Sequence, residues 1–339
     1  MQVIIPMAGY GTRMRPHTYS RPKPLVNVAG QPMLKHLLDP LLAQLEIDEF
    51  IFIVGYLGEQ IREWVAETYD IKATYVVQDE LIGQAHAIHL SRQHLHGPAL
   101  LLFSDTLFDA DLSVIKDFTG DGLAFVKEVD DPRRFGVVAL NDEGRIVQFV
   151  EKPDSMENKL AVIGMYYLRD SAQMLHAVDT LMARKQMTRG EFYLADAYQI
   201  MVEEGADFRT QHVEFWLDCG TPEAVLESNQ YLLENRLDNS ASLDLPTVAV
   251  IPPVYVHPDA QVENSVVGPY AAISAGCRVS DSVIRNSIID QNSVVSASLL
   301  NRSLVGQNAY VAGRFQSLNV GDATRIEAVG QELNVSTTG

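Results

Sequence analysis

The sequence has almost no cysteine. Two occur in 339 residues, Cys219 and Cys277, far apart in the chain. That excludes a disulfide framework and a cysteine-rich zinc site. No apolar run reaches the roughly 20 residues needed to span a bilayer. Val3-Ile4-Ile5 is too short for the core of a signal peptide, and Arg13 and Arg15 follow it rather than precede it. The expectation is a cytoplasmic protein with no membrane partner. A basic surplus is missing too: the formal net charge is −18, which argues against general binding to nucleic acid or anionic lipid. The most local absence is of acid. Residues 1–38 hold no Asp or Glu, although 44 acids in 339 residues would put about five there. The same stretch carries Arg13, Arg15, Arg21, Lys23 and Lys35. A cationic segment in an acidic protein points to a small, highly anionic ligand.

Hydrophobic residues are plentiful, at 47%, and the length favours two domains. The first two-thirds alternates strand and helix patterns. Val3–Ile5, Phe50–Val54, Thr74–Val77 and Ala99–Phe103 read as strands. Between them, leucines from Leu34 to Leu45, the set Ile61, Trp64, Val65 and Tyr69, and Ala85–Leu95 read as helices. Pro40 should kink the first. This order implies a mainly parallel, Rossmann-like α/β sheet, whose ligands bind at the carboxyl ends of its strands. Further on, Asn141-Asp142-Glu143-Gly144 reads as a hairpin turn between Phe135–Leu140 and Ile146–Val150. Helices are expected over Asp170–Met182, Phe192–Glu203 and from Thr221 to about Arg236.

From Val254 the character changes. Val256, Val262, Val267, Ile273, Val279, Ile284, Ile289, Val295, Leu300, Val305 and Val311 recur at steps of five or six, with Ala, Ser, Asn and Gly between them. Neither a helix nor a two-sided strand has that period. A hexapeptide repeat does, and it resembles the left-handed parallel β-helix, with coils of ~18 residues. The expected division is a catalytic domain at 1–237, a linker at 238–249, a β-helix at 250–314 and an unassigned tail at 315–339.

Gly9-Tyr10-Gly11-Thr12-Arg13 directly follows the first strand. Glycines there let backbone N–H groups approach phosphate oxygens. Met14 stands where the dinucleotide fingerprint needs a third Gly, and no Gly-Lys-Ser/Thr follows, so neither familiar phosphate loop is present. Ten residues after Arg13 comes Pro22-Lys23-Pro24, in which proline on both sides stiffens the backbone that aims Lys23.

This combination resembles the sugar-nucleotide pyrophosphorylases, a family of sugar-1-phosphate nucleotidyltransferases. Ala8-Gly9 stands where many members have Gly-Gly. The resemblance implies that Ala8, Gly9, Gly11 and Thr12 line the nucleotide and that Arg13 and Lys23 grip phosphates. Gln78 and Gly83, in Gly83-Gln84-Ala85-His86-Ala87, resemble the base-binding segment. His86 and His89 read as ordinary helix residues. Asp105, ending a strand, and Asp218, in Trp216-Leu217-Asp218-Cys219-Gly220-Thr221, match the two Mg²⁺ positions. Gly136, Glu151 and Lys152 of Glu-Lys-Pro, and Gly164 match the side that holds sugar and sugar phosphate. The expected partners are therefore a nucleoside triphosphate, with UTP or dTTP favoured, and a sugar-1-phosphate, with glucose-1-phosphate favoured. A homo-oligomer built through the repeats is also expected. Two alternatives are weighed: a non-catalytic sugar-nucleotide-binding regulator, and a bifunctional enzyme whose β-helix transfers acyl groups with His257 as base.

Overall fold

Val3, Ile4 and Ile5 have no exposed surface because β1 (Gln2–Pro6) lies inside a nine-stranded sheet. The computed structural model describes residues 1–313, so the tail expected at 315–339 lies outside the described residues. In chain order α1 (Met33–Gln44), β2 (Glu49–Val54), α2 (Gly58–Thr68), β3 (Ala73–Val77), α3 (Gln84–Leu90) and β4 (Ala99–Leu102) follow. β4, β1, β2 and β3 are neighbours in that order, all parallel. These strands are apolar on both faces because helices cover both sides.

Helix α1 runs through Pro40 instead of ending there. The buried face of Leu34, Leu37, Leu38 and Leu41 holds the helix across the one backbone bond that proline removes. Helix α3 is shorter than expected. It stops at Leu90, where the Ser91 hydroxyl turns back to donate to the Ile88 carbonyl at 2.8 Å.

The other half of the sheet is mainly antiparallel, with one parallel pair joining Gly122–Glu128 and Phe208–His212. After β5 (Thr106–Asp109) come β6 (Gly122–Glu128), β7 (Gly136–Leu140), β8 (Ile146–Glu151) and β9 (Leu160–Leu168). β9 pairs antiparallel with β4, β6 and β7, and β7 with β8 forms the expected hairpin. Helices α4 (Ser171–Ala183) and α5 (Leu194–Glu203), β10 (Phe208–His212), β11 (Phe215–Asp218) and α6 (Pro222–Leu232) complete this domain. Thr221 caps α6, its hydroxyl accepting from the Ala224 N–H, which leaves the Asp218 side chain free of that duty.

The repeats form three sheets of four short parallel strands each, a parallel β-helix. Val256 pairs with Ile273 and Ile273 with Ile289, so a coil takes 17 and then 16 residues, fewer than the hexapeptide ideal. The corners explain the small polar residues. Asn264, Asp281 and Ala297 stack at one corner, Tyr270, Asn286 and Arg302 at a second, and Gly276, Asn292 and Asn308 at a third, all with positive φ. Inside the coils, serine hydroxyls accept N–H groups from the next turn: Ser282 to Ser265 at 3.1 Å and Ser298 to Ser282 at 3.0 Å. His257 is engaged locally, its ring accepting the Asp259 N–H at 3.1 Å.

The stretch expected to be a linker makes hydrogen bonds to the β-helix. Asn239 exchanges hydrogen bonds with Val256 at 2.8 and 3.0 Å, and strand Ala249–Val250 already belongs to the β-helix. One face of the β-helix packs on the first domain. Ala272 and Ile288 share a buried cluster with Met14, Val26, Val28, Met33 and Val225. Gly30 is needed there, with φ +81°, because a Cβ would stand 2.0 Å from the Tyr255 ring. The Asn229 amide bridges the two parts, accepting from the Ala29 N–H and donating to the Tyr270 carbonyl.

Candidate active site

The loop after β1 opens onto a cleft of about 570 Å³. Ala8, Gly9, Gly11, Thr12, Arg13, Lys23, Gln78, Gly83, Asp105, Gly136, Glu151, Lys152, Gly164 and Asp218 all line it. Segments up to 210 residues apart thus meet in one concavity (218 − 8). Chance clustering of surface residues does not produce that.

Each residue has a local reason to be there. Gly11 adopts φ +61°, and the Thr18 hydroxyl donates to its carbonyl at 2.8 Å, fixing the loop. Gly9 has open space on its Cβ side, so a ligand can approach its backbone. β5 and β11 pair antiparallel with Thr106 opposite Asp218, and the Cys219 N–H donates to the Asp105 carbonyl at 2.8 Å. That pairing brings together two aspartates that are remote in sequence.

The two carboxylates differ electrically. Burial pushes Asp105 up, but the Lys23 ammonium, 2.6 Å away, outweighs it and holds the carboxyl below its ordinary value. Burial and then repulsion from Asp105 push Asp218 up, against the pull of Lys23, Arg13 and Arg134. The Asp218 carboxylate accepts no hydrogen bond among the described residues. An unpaired carboxylate beside another is suited to a cation that both could share.

Arg13 reaches the same spot. A Cβ on Gly220 would stand 2.9 Å from both the Arg13 Nη2 and the Asp218 Oδ1. Gly220→Ala should therefore displace a flexible guanidinium rather than unfold the chain. We expect an almost unchanged Tm and a kcat lowered about tenfold, the scale of a sub-ångström misplacement. Thermal melts beside steady-state kinetics check this, and an undiminished kcat would show that Arg13 need not sit there. Cys219 itself is inert: burial pushes its thiol up to about 12.

On one side of the cleft, the Gln78 amide nitrogen donates to the Gly83 carbonyl at 3.2 Å. A Cβ on Gly83 would stand 2.4 Å from the Phe192 carbonyl oxygen. On the other side, a Cβ on Gly164, at φ +80°, would meet Phe103 at 2.5 Å. A Cβ on Gly136 would crowd the Glu151 Oε2 at 3.1 Å. Lys152, at φ +46°, donates to the Tyr193 hydroxyl at 3.0 Å and lies 3.5 Å from Glu151. Burial pushes Glu151 up, while Lys152 opposes it.

Sequence reasoning did not single out Arg134, Tyr166, Glu191 or Trp216, which line the same cleft, nor Tyr193 beside it. Arg134 could have been found, since it stands two residues before Gly136 in a segment already singled out. His86 and His89 form no metal pair: the His89 ring bonds Asp179 at 2.9 Å and His86 faces the Glu80 carbonyl. No group of three or more His, Cys, Asp or Glu suited to a metal occurs among the described residues, so a metal here would need ligands from the substrates.

The sequence model of the nucleotidyl transferase family matches residues 2–235. The low-salt glycan biosynthesis nucleotidyltransferase Agl11 of Haloferax volcanii is 29% identical, over 99% of this chain and 98% of its own length. The glucose-1-phosphate thymidylyltransferase of Streptomyces griseus is 27% identical, over 96% of this chain and 99% of its own. The UTP–glucose-1-phosphate uridylyltransferase AglF of Haloferax volcanii is 31% identical, over 69% of this chain and 97% of its own.

Proposed function

The chain belongs to the nucleotidyl transferase family, and from this we propose that it joins a sugar-1-phosphate to a nucleoside triphosphate, releasing pyrophosphate. The observation that carries the reading is the cleft, in which a glycine loop, two cations, two aspartates and the Glu151–Lys152 pair face one space. The sugar phosphate is already an anionic nucleophile, so no general base is required. Its oxygen attacks the α-phosphorus in line. The new O–P bond forms as the bond to the β-phosphate oxygen breaks, and pyrophosphate leaves. Catalysis is positioning and charge neutralisation.

Arg13 and Lys23 hold the triphosphate and counter the charge that grows on the leaving pyrophosphate. Lys152 holds the sugar phosphate, and Glu151, kept close by Lys152, accepts from sugar hydroxyls. The backbones of Gly136 and Gly164 let the sugar approach. Ala8, Gly9, Gly11 and Thr12 line the nucleotide. Gln78 spends an amide hydrogen on Gly83, which leaves its carbonyl oxygen for the ring N–H that uracil and thymine share. That supports UTP or dTTP, and glucose-1-phosphate follows from the relatives. Asp105 and Asp218 suit Mg²⁺, which takes one or two carboxylates and fills its shell with phosphate and water. When bound, it would offset triphosphate charge at the α-phosphate.

No helix of the described residues is long and apolar enough to cross a membrane, and the reaction is assigned to the cytoplasm, where its triphosphate is made. Leu299 and Tyr310, exposed on the β-helix, support a homo-oligomer. His257, occupied by its own turn, offers no support for acyl transfer.

The test is pyrophosphate release across a panel of triphosphates and sugar-1-phosphates. UTP or dTTP with glucose-1-phosphate should give the largest kcat/KM, and no release with any pair would overturn the reading. Lys152→Ala should raise KM for the sugar phosphate about tenfold, with KM for the triphosphate unchanged, the scale of one charge-assisted contact. A rise only for the triphosphate would place Lys152 on the wrong substrate.

A further inference from the structure

Lys23 stands in a short segment stiffened by Pro22 and Pro24 and wound into a single turn over Lys23–Leu25. Both ends of that segment are held by one carboxylate from the β-helix. The Asp290 Oδ2 accepts from the Arg21 Nη1 at 3.1 Å, and its Oδ1 accepts from the Asn27 Nδ2 at 2.5 Å. Asp290 is itself fixed, accepting the Gln291 N–H at 2.7 Å. It is 6% exposed, at an interface that also buries Ala272 and Ile288 against the first domain.

A buried ion pair is a poor adhesive, because desolvation offsets most of its attraction. Apolar contact already supplies adhesion here through Ala272 and Ile288. What the carboxylate adds is direction: two hydrogen bonds diverge from one group to residues two before and four after Lys23. The far end of Lys23 meets Asp105 at 2.6 Å in the cleft. The carboxylate thus ties the β-helix to the segment that carries Lys23.

We propose that Asp290 is a positioning residue for nucleotidyl transfer, clipping Arg21 and Asn27 so that Lys23 is aimed at the phosphates. This rests on the phosphate role given to Lys23 above. The clip makes the β-helix part of the catalytic apparatus, although none of its described residues lines the cleft.

The test is a double-mutant cycle in the full chain, with Asp290→Asn, Lys23→Gln and the pair, assayed with UTP or dTTP and glucose-1-phosphate. Asp290→Asn should lower kcat about tenfold, the scale of a small misplacement, with KM for glucose-1-phosphate unchanged. That loss should vanish in the Lys23→Gln background. Ile288→Val, which thins the same interface without touching the clip, should lower Tm and leave kcat within about twofold, because its methyl only packs. Should Asp290→Asn not fold, Asn27→Ala releases one end of the segment while Arg21 still pairs the carboxylate, and it enters the same cycle. A full kcat in the clip variant, or losses that multiply with Lys23→Gln, overturns the proposal. A Lys23→Gln enzyme with normal kcat overturns instead the phosphate role of Lys23, whatever Asp290→Asn does.

Discussion

Asp218→Asn should lower kcat by roughly 10²-fold or more, the scale of losing one preorganised electrostatic element, while the folded chain becomes no less stable. The carboxylate of Asp218 has no hydrogen-bond partner among the described residues and is repelled by Asp105. Ionised, it costs the empty fold free energy, and an amide of the same shape removes that cost. Asp105→Asn should lose as much turnover but also lower Tm, because Asp105 is the partner of the Lys23 ammonium, whose side chain is only 12% exposed. The opposite signs in Tm separate a group kept for chemistry from one that also holds the fold. Kinetics in Mg²⁺ and thermal melts without it decide. Near-normal kcat in both variants would sink the assignment of these two aspartates.

Deleting residues 238–339 should abolish both folding yield and activity. Met14, Val28 and Ala29 are fully buried, in a cluster that includes Ala272 and Ile288. Burying one aliphatic side chain of this size is worth roughly 1.5–3 kcal/mol. A whole domain keeps only about 5–15 kcal/mol of net stability. Uncovering several such side chains at once is therefore a large fraction of the total, and the exposed patch invites aggregation. The result has force because AglF aligns over 97% of its own length to only 69% of this chain. A relative of that size manages without a counterpart to the remainder. A soluble, fully active fragment 1–237 would show that this chain manages too.

The strand and helix alternation was legible because buried parallel strands are uninterrupted apolar runs, as in Phe50–Val54, and covering helices show a leucine stripe, as in α1. That the glycine loop and Lys23 line one cleft is legible because glycine and proline have few other uses at such spacing. The corners of the β-helix were legible as a period, but their coil length was not. Five-residue and six-residue steps are mixed, and pairing such as Val256 with Ile273 fixes the count. Tyr193 and Glu191 escaped notice because a lone side chain on a loop carries no period. The Lys23–Asp105 pair needed tertiary geometry, since 82 residues separate its members. The polar stretch that reads as a linker carries no sign in its composition that Asp238 and Asn239 answer backbone groups of the first coil.

The clip at Asp290 also sets an order of events during synthesis. Arg21 leaves the ribosome 269 residues before its partner, and Asn27 leaves 263 residues before it. At about 5–20 residues per second, that interval lasts tens of seconds. Through most of translation the basic segment stands without the carboxylate that fixes it, on a surface whose apolar cover has not yet been made. The clip joins an early segment of the chain to a late coil of the β-helix. A nascent chain that stalls before residue 290 carries every residue that lines the cleft, yet the segment around Lys23 lacks the carboxylate that clips it. On the proposed role of Asp290, the site is complete only after residue 290 has been made and its coil has formed.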